Sequence, residues 1–210
     1  MYVPKHFAVD DLALVREFIG RYGFATMISS GADGLIATHV PVQYESVAGT
    51  RGRLVAHVAR ANPHAAVLDD ADVLTIFQGP HAYISPSWYA VHPSVPTWNY
   101  AAVHVYGRAR IVNDAARLRD IVARLSETYE GGRAEPWRMS GLADRYVENM
   151  LKAVAGVEID ITRIDAKHKL SQNRGAEDRR RVIAALETSP SPHDRELAAY
   201  MSQYAPPTRE

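Results

Sequence analysis

Between Val73 and Val112 the chain reads VLTIFQGPHAYISPSWYAVHPSVPTWNYAAVHVYGRARIV, and no other stretch constrains the fold as much. It opens with a buried-strand run, Val73 to Phe77, and closes with a long strand pattern from Thr97 to Val112. Gly79, Pro80, Pro86, Pro93 and Pro96 lie between, interleaved with Tyr83, Trp88 and Tyr89. Each Pro fixes its own φ and restricts the residue before it, so a stiff loop is expected after Phe77. Trp88 and Trp98 carry large apolar area with a polar edge that needs a partner. A stiff aromatic loop between strands serves as a rim for a planar ligand, an oligomer contact or a lid on the core.

The flanking chain supplies more strands and several helices. Asp10 or Asp11 is placed to cap a helix to Arg21, with Leu12, Val15, Phe18, Ile19 and Tyr22 on one face. Phe24–Ser29 and Leu35–Tyr44 then form a hairpin around SGADG, where Gly31 and Gly34 can take positive φ. Pro41 implies an unpaired or bulged edge in the return strand. A third strand, Arg53–Val58, leads to a short helix started by Asn62 as N-cap and Pro63 at the first helical position. After Val112, Asn113 or Asp114 caps a helix to about Tyr129, and a second is expected from Ser140 or Gly141 to Ala155. A half-buried strand over Val157–Ile164 precedes a helix carrying Arg179–Arg181 and a weaker one over His193–Tyr204.

About six antiparallel strands, with helices before, among and after them, do not follow the alternation of a parallel sheet. The expected fold class is mainly β with α additions (α+β), a small closed or split β-barrel, since closure removes exposed edges. The expected organisation is one barrel domain over 1–187 with inserted helices, and a C-terminal helical tail over 188–210.

Composition removes several function classes. Formal net charge is +0 and the pI about 7.1, so nothing global draws the chain to nucleic acid or an anionic membrane. With no cysteine there are no disulfides or thiolate metal sites, which fits a reducing compartment. No apolar run approaches the ~18 residues of a membrane span, so a soluble cytoplasmic protein without membrane contact is expected.

Local chemistry offers a few openings. The nine His fall into no HxH or HExxH spacing, so no metal site is read from them. No GxSxG elbow supports a nucleophilic Ser. Arg60 and Asn62 at the entry to a short helix suit an anion such as a phosphate, through free N–H groups and a charge-assisted bond. The plainer reading is a surface Arg beside a well-capped turn. Lys167, His168 and Lys169 form a second basic spot near Ser171, Gln172 and Asn173, or else a solvated strand end. The Arg179–Arg181 run could touch DNA phosphates, but no second helix at helix-turn-helix spacing accompanies it, and such runs are usually solvated faces.

Taken together, MYVPKHF (1–7), HVARANP (57–63), FQGPHAYISPSWY (77–89), VPTWNY (95–100) and KLSQNR (169–174) resemble the PaiB-type family, FMN-binding negative transcriptional regulators. The resemblance implies a flavin-reductase-like split β-barrel that works as a homodimer with FMN as cofactor at the subunit interface. It further implies that Thr38, His39 and Val40 line the flavin ring. His57, Val58, Arg60 and Asn62 approach the ring and phosphate. Trp98, with Trp88, Tyr89 and Asn99, borders the cleft. Lys169, Ser171, Gln172 and Asn173 are a contribution from the partner subunit. The alternatives are a flavin-dependent oxidoreductase acting on a small substrate, with a proton donor such as His39, His57 or Tyr83, and a haem-binding split-barrel protein. No residue identifies itself by spacing as a catalytic acid or base.

Overall fold

The computed structural model describes residues 1–205, so the last five residues of the expected tail lie outside it. Its framework is six strands: β1 (Phe24–Gly31), β2 (Gly34–Glu45), β3 (Arg53–Ala59), β4 (Asp72–Ile84), β5 (Thr97–Val112) and β6 (Val154–Lys169). They close into a barrel in the order β1-β2-β3-β6-β5-β4, so the expected architecture holds. Five helices accompany them: α1 (Leu12–Arg21), α2 (Ala115–Glu130), α3 (Asp144–Leu151), α4 (Ala176–Glu187) and α5 (Pro192–Tyr204). No described helix is long and apolar enough to cross a membrane.

The β1–β2 hairpin turns at Ala32–Asp33, and of the two glycines only Gly34 takes positive φ, at 118°. Pro41 sits where β2 changes partner. It faces Phe24 at the end of the β1 ladder, and pairing with β3 begins one residue later, at Val42 with Ala56. A residue without an N–H fits a point where no second strand needs one. Before Val42, therefore, β2 is laddered only to β1 among the described pairings.

Three elements depart from the sequence reading. β4 continues through Gly79 and Pro80 to Ile84, so the loop starts seven residues later than expected. Its pairing with β1 spans only Val73–Ile76, so Pro80 interrupts no bond of that ladder. The helix expected from Ser140 or Gly141 to Ala155 is instead a 3₁₀ turn (Met139–Gly141) and the eight-residue α3. Val154 and Ala155 belong to β6, paired with Ala59 and Val58, because the sheet gives these apolar residues more burial than a helix end. The last strand is accordingly twice as long, 16 residues from Val154 to Lys169.

The chain divides into two compact units. The first comprises Met1–Val15, Gln78–Val103 and the chain from Asp165 on; the second comprises Arg16–Phe77 and His104–Ile164. In the second, Asp114 caps α2 by accepting the Arg117 N–H at 2.6 Å. Its stripe of Leu118, Ile121 and Leu125 is buried, with Ile121 and Leu125 packed on Val55 of β3. In the first, α4 and α5 pack together, burying Val182, Ile183, Leu186, Leu197 and Met201.

Candidate functional site

Period-2 alternation decides which candidates on β2 can act together. Thr38 and Val40 point one way and His39 the other. On the His39 side, its Nδ1 meets Thr26 Oγ1 at 2.9 Å, and Phe24 stacks nearby at 6.1 Å between ring centroids. This face of the hairpin is open, with Phe24 70% and Leu35 79% exposed. On the other side, Thr38 Oγ1 lies 2.8 Å from His64 Nδ1 and accepts from Asn62 Nδ2 at 3.2 Å. His64 is fully buried, and its Nε2 reaches Ser29 Oγ at 2.9 Å. Both imidazole nitrogens therefore find hydroxyl partners, and burial lowers the His64 pKa, favouring the neutral ring.

The helix start at Asn62 and Pro63 is present, but as a single 3₁₀ turn, Pro63–Ala66, with Asn62 Oδ1 accepting the His64 N–H at 2.9 Å. One turn has little dipole, and its leading N–H is already satisfied, which removes the local argument for a phosphate here. Arg60 is turned elsewhere: its Nε and Nη2 donate to the carbonyls of Lys152 (3.0 Å) and Val154 (2.8 Å). Val40 and Val58 are core residues, each 3% exposed, so neither side chain is offered to a ligand. His57 lies on the opposite face of β3 from Val58, the face shared with Val55. Its Nδ1 is buried with no hydrogen-bond partner, and burial lowers its pKa.

The C-terminal candidates sit in the first unit, and the strand-end reading of the basic spot fails there. Lys167, His168 and Ser171 are buried, at 6%, 5% and 3% exposure. The Lys167 ammonium lies over the rings of Tyr100 (5.1 Å), Tyr2 (5.8 Å) and Phe7 (5.9 Å) and donates to the Tyr2 carbonyl at 3.3 Å. Lys169 donates to Thr97 Oγ1 and, at 2.6 Å, to the Trp98 carbonyl. Burial, then the charge of Lys167, lowers its pKa. Neither lysine has a carboxylate within 4.0 Å among the described residues; Asp165 pairs with the Met1 amino group at 2.6 Å. Two cations held together without a counter-ion are a place for an anion.

Ser171 takes φ 64° and accepts from Asn99 Nδ2 at 2.8 Å. Asn99 is 1% exposed and its Oδ1 has no partner. Gln172 closes the turn, accepting from the Leu170 N–H (2.7 Å) and donating to the His168 carbonyl (2.5 Å), so its amide is structural. Asn173 is exposed. Trp98, 54% exposed, lies 6.1 Å from Tyr83 and 6.4 Å from His81, an open aromatic surface on β4 and β5. Tyr89, expected at the cleft border, is instead 2% exposed beneath the Arg174 guanidinium at 4.3 Å.

Comparison with known proteins decides the family. Residues 1–163 match the family described as "Putative FMN-binding domain". The chain is 36% identical over 202 residues, 96% of each chain, to Protease synthase and sporulation protein PAI 2 of Bacillus subtilis. The chain belongs to this FMN-binding family. In fold it is similar to the flavocytochrome Anf3 of Azotobacter vinelandii, with a TM-score of 0.59 at 16% identity over 80% of this chain and 72% of that one. It is similar also to Rv2991 of Mycobacterium tuberculosis, with a TM-score of 0.58 at 18% identity over 80% and 91%.

FMN is the cofactor that membership brings, and the residues fit it. The uncompensated Lys167 and Lys169 suit a phosphate, the Trp98 surface suits a planar ring, and Asn99 Oδ1 is an acceptor lacking a donor. Of these, Lys167, His81 and Asn99 carry more weight than the sequence reading gave them. In the sequence only the lysines gave a signal, the Lys167-His168-Lys169 run, and it became a site only once burial was known.

Proposed function

We propose that this protein is a cytoplasmic, homodimeric FMN-binding protein that acts as a negative transcriptional regulator of the PAI 2 type. The observation that carries the reading is the Lys167–Lys169 pair, the first buried and the second half-buried, without a carboxylate and beside the open Trp98 surface, in a chain of the FMN-binding family. In this reading Lys169 holds the phosphate, Trp98 offers a face to the ring and Asn99 Oδ1 accepts from the ligand. Following the family resemblance, this group serves a flavin on the partner copy. His39, with the backbone of Thr38 and Val40, serves the ring from β2, whose edge before Val42 has no β3 ladder. Bound FMN supplies one- or two-electron transfer, while the protein's own residues orient it and shield its phosphate.

The regulatory step is proposed to run without a DNA-reading helix. On α4, Arg180 is paired with Glu177 at 2.7 Å, and Val182, Ile183 and Leu186 face the core. The test of the main reading is a fluorescence titration with FMN and riboflavin on the wild type and Lys169→Gln. A lost charge-assisted bond of roughly 1.5–3 kcal/mol predicts FMN binding weakened about ten- to hundredfold, with riboflavin unchanged. Equal wild-type affinity for the two ligands would remove the phosphate site. A folded wild type that binds neither would remove the FMN reading.

A further inference from the structure

The groove between α2 and α3, in the second unit, belongs to none of this. Its cavity of about 380 Å³ is walled by apolar side chains alone, among them Val122, Trp137, Met139, Leu142, Tyr146 and Met150. Three of these are large and open to water: Tyr146 is 54% exposed, Met150 52% and Trp137 45%. α3 buries only Val147, so most of its apolar face has no partner. A concentrated apolar patch of this kind on one short helix marks a binding surface.

Leu151 is also a wall of a second cavity, of about 530 Å³, lined by Arg60, Arg119, Glu148 and Lys152. Arg119 is neutralised by Asp144 at 2.7 Å. Arg60 is held only by neutral carbonyls, and Lys152 only by Asn149 Oδ1 at 3.0 Å. Neither cation has a carboxylate within ion-pair distance among the described residues, and Glu148 is the one acid in the lining. An apolar hole and a net positive one thus share a wall.

We propose that this groove binds a single-chain anionic amphiphile, a long-chain carboxylate. Its head group meets Lys152 and Arg60, and its chain passes Leu151 into the pocket of Trp137 and Met150. Size selects this occupant over a protein segment: the apolar cavity falls in the small-ligand range, whereas a helix is about 10 Å across with its side chains. Charge selects an anionic head group over a neutral or cationic one.

Calorimetric titration of the full chain with octanoate, decanoate and dodecanoate, kept below their micellar concentrations, and with 1-decanol is the test. Affinity should tighten about fourfold per added methylene. Met150→Glu, at a half-exposed position, should abolish binding of all four. Lys152→Gln should weaken decanoate, moving it toward the level of decanol, and leave decanol unchanged. FMN binding should be the same in both variants, which reports that they fold and separates this site from the flavin site. Heats independent of chain length, or Met150→Glu binding like the wild type, would overturn the proposal. So would binding to anionic phospholipid vesicles without binding to monomeric carboxylates, or Met150→Glu dissociating an oligomer while carboxylates leave the wild type unaffected.

Discussion

His168 condenses the electrostatics of the first unit into one side chain. It is 5% exposed, lies edge-on to Tyr200 and Tyr204, and its Nε2 sits 3.0 Å from the Tyr200 hydroxyl. Burial pushes its pKa down to about 4. An unfolded His titrates near 6.5, so between these values the unfolded chain binds more protons and stability rises with pH. The contribution is complete above 6.5 and is lost as pH falls toward 4, by at most roughly 3 kcal/mol. His57 and His64 are shifted the same way by burial and steepen the loss in the same window. Urea midpoints at pH 7.5 and 5.0 should therefore drop on acidification, and His168→Phe should shrink the drop. An unchanged pH slope in that variant would show that His168 is not the titrating group. Lys169 reads in the same terms: with two cations in poor solvent, removing the ammonium should spare the fold and cost the ligand.

The loop between β4 and β5 is an element held by one carboxylate. Asp178 of α4 is 2% exposed and accepts from the Ala90 N–H at 2.7 Å and the Val91 N–H at 3.3 Å. Arg174 adds a second tie, stacked on Tyr89 and donating to Ser94 Oγ at 3.2 Å. The prolines alone do not determine where this loop rests; helix α4 does. Asp178→Ala leaves two backbone donors without acceptors, a loss of about 1–3 kcal/mol. A lowered urea midpoint together with faster amide exchange confined to residues 89–95 is expected. Exchange unchanged there would mean that the loop is held by its aromatic residues instead.

On the scale of the whole molecule, the open face of the β1–β2 hairpin is the surface that a second copy would cover in the proposed dimer. Phe24 and Leu35, the most exposed of its apolar side chains, lie at opposite ends of the ladder, in the Phe24–Pro41 and Ser30–Leu35 pairs. Charging both, as Phe24→Asp with Leu35→Asp, should halve the mass seen by light scattering and weaken FMN binding with it. Retention of the dimer mass would move the interface to another face. Both substitutions lie outside the core, so the barrel itself should keep its thermal midpoint within a few degrees.

How much of this was legible beforehand depended on range. The hairpin, the Asn62–Pro63 start, the Asp114 cap and β5 from Thr97 to Val112 follow from local rules, because turns, caps and period-2 alternation act within a few residues. The six-strand barrel followed from the count and spacing of those elements, and FMN from motifs scattered along the chain. Burial could not be read this way. Whether Lys167 is a solvated strand end or a cation under three rings depends on Tyr2, Phe7 and Tyr100, which come from distant parts of the sequence. Whether Arg60 greets a phosphate or two carbonyls depends on Lys152 and Val154, some ninety residues on. Local sequence determined the elements, because their energies are local. Only the tertiary structure decided which charges lost their water and which found partners, because desolvation depends on everything that packs around a group.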